Sequence, residues 1–263
     1  MKYFDTHAHY YDGRFCTETE RGADELIGAL LSSGVSAIVN VGTSPETSRL
    51  AIEQAKKFEN MYTAIGIHPY DANFILTDMS CALSDIESLI KSRENKCVAL
   101  GEIGLDYHYE GYDAKLQREY FEAQMSLAEK LSVPVVIHDR DAHADTMDVI
   151  RSFPGVKGVM HSYSGSVEIA KELVKLGYMI SFSGTLTFKN ARKTPDVALA
   201  IPREYIMIET DAPYLAPHPN RGKLNHSGYL EYTNRRLSEI WEISEEECAR
   251  IIDENARRFF GIK

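Results

Sequence analysis

The feature that most constrains this chain is a succession of short apolar, β-branched runs. They occupy residues 3–4, 36–42 (SAIVNVG), 62–68 (YTAIGIH), 97–104 (CVALGEIG), 133–139 (VPVVIHD), 157–163 (KGVMHSY), 178–184 (YMISFSG) and 205–211 (YIMIETD). Most are too short and too continuously apolar for amphipathic helices, as expected of parallel strands buried on both faces. Between them lie stretches with helical spacing, such as 23–31, 45–58, 115–131 and 167–176, with Gly34 and Gly177 as plausible stops after two of them. Strands and helices alternating through 263 residues predict an α/β fold, a single TIM-type (β/α)8 barrel. An open doubly wound sheet is the competitor, but it would usually carry G-x-G-x-x-G after its first strand, and that loop is missing. No linker, low-complexity tract or internal repeat divides the chain, so residues 1–263 are expected to form one domain.

Composition narrows the function. A hydrophobic fraction of 44% and a charged fraction of 26% belong to an ordinary globular protein. The net charge of −10 argues against non-specific coating of nucleic acid, which needs an excess of Lys and Arg. It leaves room for an enzyme that grips a few phosphates through metal ions. Cys16, Cys81, Cys97 and Cys248 are scattered without a C-x-x-C pair, which removes zinc-ribbon and thioredoxin-like motifs and does not suit a disulfide scaffold. The opening MKYFDTH lacks a signal-peptide apolar core, and no segment approaches a transmembrane run. A reduced cytoplasmic protein is expected, monomeric or weakly homo-oligomeric, with no membrane partner.

In a (β/α)8 barrel the active site forms at the C-terminal ends of the strands. Strand one ends in His7-Ala8-His9, strand three in Gly66-Ile67-His68-Pro69, and strand four in Gly101-Glu102-Ile103-Gly104-Leu105-Asp106. Strand five ends in Ile137-His138-Asp139-Arg140, strand six in His161-Ser162-Tyr163, and strand eight in Glu209-Thr210-Asp211. His7 and His9, one residue apart on a strand, should project to one side. Alone the pair could be an accident of composition; convergence at one rim makes it a candidate metal site. Imidazoles and carboxylates together suit Zn²⁺, Mn²⁺, Fe or Co, with Mg²⁺ possible where oxygen ligands dominate. Four histidines, one Glu and one Asp suffice for two ions about 3.5–4 Å apart with a carboxylate between them. Hydrolysis follows from such a constellation; the bond hydrolysed does not.

The motifs FDTHAH, GIHP, GEIGLDY, VIHDR, HSYSG, LTFKNA, ETDAPYLAP and NARRFF, in this order from residue 4 to about 260, resemble those of the TatD family. That family belongs to the amidohydrolase superfamily of metal-dependent hydrolases, and many members are described as deoxyribonucleases. The resemblance implies that His7, His9 and Asp211 bind one divalent metal ion (Mg²⁺, Mn²⁺ or Zn²⁺), that His138 and His161 bind a second, and that Glu102 bridges them. It also implies that Asp211 accepts a proton from the attacking water, and that His68, Arg140 and Lys189 orient a substrate phosphate. The partner would then be DNA or a small phosphodiester.

Blander readings stand beside these. Glu102 and Asp211 could cap the following helices; His68 could be a satisfied buried imidazole, and Arg140 could simply pair with a neighbouring Asp. His108, His143, His218 and His226 read as non-ligands, His143 in a helix and the others in exposed polar loops. Asp106 and Glu209 read as supports for the site. Tyr10, Tyr107 and Tyr109 could stack nucleobases or pack the rim. The segment Arg221-Gly222-Lys223-Leu224-Asn225-His226-Ser227 departs from the RGKRNEP-like stretch common in TatD-like chains. If Leu224 stands at the mouth, the lost Arg predicts weak action on long DNA, and Leu224→Arg would restore a phosphate contact. The leading expectation is a deoxyribonuclease of the exonuclease kind. The alternatives are an amidohydrolase-type enzyme acting on a C–N or ester bond and a non-enzymatic metal-binding protein.

Overall fold

The computed structural model describes residues 1–20 and 22–263. Eight parallel strands pair each with the next in sequence order. They are β1 (Tyr3–Ala8), β2 (Val35–Val41), β3 (Met61–Ile65), β4 (Cys97–Asp106), β5 (Val135–Arg140), β6 (Gly158–Met160), β7 (Met179–Phe182) and β8 (Ile206–Ile208). The sheet curls round until Ala8 bridges Ala212. There Asp211 N donates to His7 O (2.9 Å) and His9 N to Ala212 O (2.7 Å). The helices α1 (Arg14–Thr17), α2 (Gly22–Ser33), α3 (Pro45–Ala55), α4 (Met79–Lys91) and α5 (Ala114–Leu131) lie among the first five strands. They are followed by α6 (His143–Ser152), α7 (Val167–Lys175), α8 (Lys193–Ala200), α9 (Leu230–Trp241) and α10 (Glu245–Phe260). The expected TIM-type barrel is the fold. No helix among the described residues is long and apolar enough to cross a membrane.

Strand alternation divides the core. In β5, Val136 joins an interior cluster with Phe4, Val39, Ala64, Ala99, Val159 and Met207. Its neighbours Val135 and Ile137 belong instead to the cluster shared with the helices. Each fully buried side chain of this size contributes roughly 1.5–3 kcal/mol. Phe260 of α10 stands 5.9 Å from the ring of Phe4 and covers the end of the barrel where the strands begin. Ser244 caps α10 by accepting from Glu247 N, three glutamates occupy its first turn, and Gly261 ends it at φ +66°.

Several strands are shorter than their apolar runs: β6 stops at Met160, β7 at Phe182 and β8 at Ile208. Beyond those points the backbone leaves the ladder and carries its polar side chains to the rim. In β1 and β4 the alternation changes phase just before the rim. Thr6 Oγ1 reaches Ser181 Oγ across the interior (3.4 Å), whereas Asp5 turns to Thr210 and Ser227. Strict alternation would send His7 and His9 the way of Asp5, but an irregular register between Asp5 and Ala8 turns them inward. In β4 a second irregularity, between Leu100 and Ile103, brings Glu102 and Asp106 onto the inner face while Ile103 and Leu105 pack outward. The backbones are close here: a Cβ on Gly66 would stand 2.8 Å from the Gly101 carbonyl carbon, and one on Gly101 2.6 Å from Val136 Cβ.

Candidate metal centre and active-site cleft

His7, His9, Glu102, His138, His161 and Asp211 meet at the C-terminal end of the barrel, where all but the fully buried His7 line a cleft of about 1160 Å³. Glu102 stands between two sets of donors. Its Oε2 is 3.3 Å from His7 Nε2 and 3.7 Å from His9 Nε2. Those two nitrogens are 3.1 Å apart, and Asp211 Oδ1 lies 3.8 and 3.4 Å from them. Its Oε1 is 2.8 Å from His138 Nδ1 and 2.9 Å from His161 Nε2, themselves 3.2 Å apart. Ligands about 2.1 Å from a tetrahedral ion stand about 3.4 Å apart, and round an octahedral ion about 3.0 Å apart. Both sets have the spacing of donors round a divalent cation.

The outer nitrogens of the rings decide what the inner ones offer. His9 Nδ1 donates to Val41 O (2.7 Å), His161 Nδ1 to Glu209 Oε1 (3.1 Å) and His138 Nε2 to Asp106 Oδ2 (3.0 Å). In each neutral ring the proton is held outside and a lone pair faces Glu102. His7 Nδ1 is buried without a hydrogen-bond partner among the described residues. Lone pairs and carboxylate oxygens packed together need positive charge between them. Burial would lower His161, yet Glu102 and Glu209 hold it well above the ordinary imidazole range. His9 and His138 are likewise raised against burial, by Asp211 and Glu102 for the first and by Asp106 and Glu102 for the second. Burial would raise Glu102, but His161, His68 and His7 keep it well below the usual carboxylate value. Burial and the neighbouring His161 lower His7 instead, so three of the rings hold protons against burial, and the donors present fit metal ions that would displace those protons.

Residues 4–261 match the family model described as TatD related DNase. The chain belongs to the TatD family. It is a metal-dependent hydrolase of that family. The chain is 38% identical to the uncharacterized metal-dependent hydrolase YabD of Bacillus subtilis, over 98% of this chain and 99% of that protein. It is 35% identical to the uncharacterized metal-dependent hydrolase TatD of Mycobacterium tuberculosis, over 90% of each. The crystal structure of YJJV, a TatD homologue from Escherichia coli, superposes with a TM-score of 0.88 at 26% identity, covering 99% of this chain and 98% of that one.

His68 also approaches the TatD-family centre, with Nε2 3.6 Å from Glu102 Oε1. Its Nδ1 accepts from Tyr70 N (3.1 Å), so the neutral ring carries its proton on Nε2. Burial and the adjacent His138 hold its pKa at about 3. It therefore presents a donor to the cleft, unlike the three rings that present lone pairs. Arg140 lines the cleft and has no carboxylate partner among the described residues; its guanidinium lies over the Tyr109 ring instead. The candidate Lys189 is exposed on a turn and does not line the cleft. The cations on that wall are Arg192 and Lys193, which the sequence reading missed. Their position, just beyond β7 and into α8, is the signal that could have found them.

Of the other candidates, Asp106 and Glu209 support His138 and His161 as described. His108 pairs with Asp141 (2.9 Å), and His143, at the start of α6, pairs with Asp139 (2.6 Å). His218 is exposed, but His226 is half-buried, its Nδ1 accepting from Gly228 N (3.1 Å). Tyr10 is core, its ring on Phe15 and its hydroxyl against Ser227. Tyr107 packs on Tyr112 and donates to Asp145. Leu224 does not stand at the mouth. It packs against the cluster of Ala8, Tyr10, Phe15 and Ala212, because Asn225 pins the segment inward by donating to Thr210 O and Tyr214 O.

Proposed function

We propose that this chain hydrolyses phosphodiester bonds and acts on DNA as a deoxyribonuclease of the exonuclease kind, with two divalent metal ions (Mg²⁺, Mn²⁺ or Zn²⁺) in its cleft. His7, His9 and Asp211 would hold one ion, His138 and His161 the other, and Glu102 both. Such ions supply an acidified water and offset the negative charge of a phosphate. The observation that carries the reading is that Arg140, Arg192 and Lys193 line the cleft without carboxylate partners among the described residues, in a chain of net charge −10. Unpaired cations beside such a centre suit an anionic substrate.

The chain's own groups have separate tasks. Burial would raise the Asp211 carboxyl, but its hydrogen bond with His9 and the nearby His161 and His7 lower it, so it is ionised at neutral pH and able to accept a proton from the attacking water. His68 Nε2–H donates to a phosphate oxygen, and the Arg140 guanidinium offers its planar fork to another. Asp211 itself is held at φ +58° between two backbone hydrogen bonds, Asp211 N to His7 O and Tyr214 N to its own carbonyl. The test is a panel of DNA, RNA, small phosphodiesters, amides and carboxylic esters with several metals. Phosphodiester cleavage lost to a chelator and restored by one divalent metal is expected. Turnover of amides or carboxylic esters alone would overturn the phosphodiester reading, and full activity after exhaustive demetallation would overturn the metal sites.

A further inference from the structure

The hydrolysis just described uses none of the aromatic rings at the mouth of the cleft. Tyr70 and Tyr109 both line it, yet they are 47% and 49% exposed. Their ring centres are 5.6 Å apart at 61°, and Phe74, 62% exposed, continues the row 5.3 Å from Tyr70. Other tyrosines are used differently: Tyr10 is buried, and Tyr107 is stacked and hydrogen-bonded at its tip. A cluster of half-exposed aromatic rings leaves apolar faces in water and is a place for another flat group to settle.

The ledge is joined to the centre through both of its tyrosines. Tyr70 N donates to His68 Nδ1 (3.1 Å), and Arg140 Nη1 donates to Tyr109 Oη (3.2 Å) with its guanidinium carbon 5.3 Å from that ring centre. His68 and Arg140 are the donors assigned above to the phosphate. A phosphate held there carries its nucleoside towards the two rings. We infer that Tyr70 and Tyr109 form a stacking subsite for the nucleobase adjoining the scissile phosphate. The subsite rests on the phosphodiester reading and adds to it a residue-level account of how the substrate is seated. A ring face takes any base, so the subsite selects for an accessible base rather than for sequence.

A cycle of protein and substrate changes tests this. The kcat/KM of the metal-loaded protein is measured on a single-stranded oligodeoxynucleotide and on the same strand with an abasic residue at the cleaved terminus. Both are repeated with Tyr70→Leu and Tyr109→Leu, which keep apolar bulk but remove the flat face. Base removal should lower wild-type kcat/KM on the order of 10- to 100-fold, the scale of one base–aromatic stack. Each variant should lose a comparable factor on the intact strand, mainly through KM; Tyr70→Leu should cleave the abasic strand as the wild type does, and Tyr109→Phe, which keeps the ring but removes the hydroxyl that Arg140 touches, should keep the wild-type ratio between the two strands. A 2-aminopurine at that position should be quenched on binding by the wild type and less by either leucine variant. Equal wild-type cleavage of both strands, or Tyr70→Leu slowed equally on both, would overturn the subsite while leaving the hydrolase intact. A protein that cleaves neither strand but turns over other substrates would remove the phosphodiester reading, and the subsite with it.

Discussion

Asp106 Oδ2 lies 3.0 Å from His138 Nε2, and the opposite nitrogen of that ring faces Glu102. The carboxylate fixes both the tautomer and the orientation of the imidazole, as Glu209 does for His161. Replacing Asp106 by Ala should weaken one of the two proposed metal sites by about 10–100-fold, the usual effect of removing such a support. Isothermal titration of the metal-free protein checks this. Two sites of unchanged affinity would show that the contact does not position the ring.

Glu102 is the only carboxylate whose two oxygens face the two separate histidine sets among the described residues. Glu102→Gln keeps the shape and removes the charge. Elemental analysis should find fewer metal ions per chain, with a parallel fall in turnover. Unchanged content and rate would remove Glu102 from the bridging role.

For Asp211→Asn, a loss on the order of 10²-fold or more in kcat is expected, with KM less affected, because a proton acceptor matters most in the transition state. Metal content has to be measured in the same sample, since Asp211 also stands among the proposed ligands. A variant with near wild-type kcat contradicts both roles.

Asp5 gives a pH signature. It is fully buried and accepts from Thr210 N (3.0 Å), Thr210 Oγ1 (2.6 Å) and Ser227 Oγ (2.6 Å). Burial outweighs these bonds and pushes its carboxyl up to about 6, from an ordinary 3.8. The folded state therefore holds this proton more tightly than the unfolded state. Its contribution to stability is fully present below about pH 4 and is lost as pH rises through about 6, amounting to about 3 kcal/mol at most. Asp5→Asn remains neutral at every pH, so its stability relative to wild type should rise between pH 4 and 6 and level off above. A pH-independent difference in denaturant titrations would contradict the assignment.

Leu224→Arg carries an expectation opposite to the one drawn from sequence. Its side chain is partly buried against the cluster that holds Tyr10 and Phe15, so a guanidinium there has to be desolvated or must disrupt the packing. Thermal unfolding should drop by several degrees, corresponding to roughly 1–3 kcal/mol. KM for DNA and its salt dependence should not improve. Tighter, more salt-sensitive DNA binding would place the residue at the mouth after all.

The sequence by itself determined the barrel and the rim. Eight short apolar runs alternating with helical stretches leave little choice but parallel strands covered on both faces, and the polar residues ending those runs then fall at one end. That is how His7, His9, Glu102, His138, His161 and Asp211 could be named without coordinates. What it could not determine was phase and direction. Strict alternation would have turned His7 and His9 outward with Asp5, and only the register between β1 and β2 turns them in. The resemblance offers Lys189 as a phosphate contact, where Arg192 and Lys193 line the cleft instead, and it leaves open whether Leu224 stands at the mouth or packs, where it packs. The proton on His68 Nε2 is set by the backbone of Tyr70 after a turn. Local spacing fixes the period of an element, but which way a side chain points depends on partners far away in sequence. Ser227 and Asp5, 222 residues apart, are such a pair.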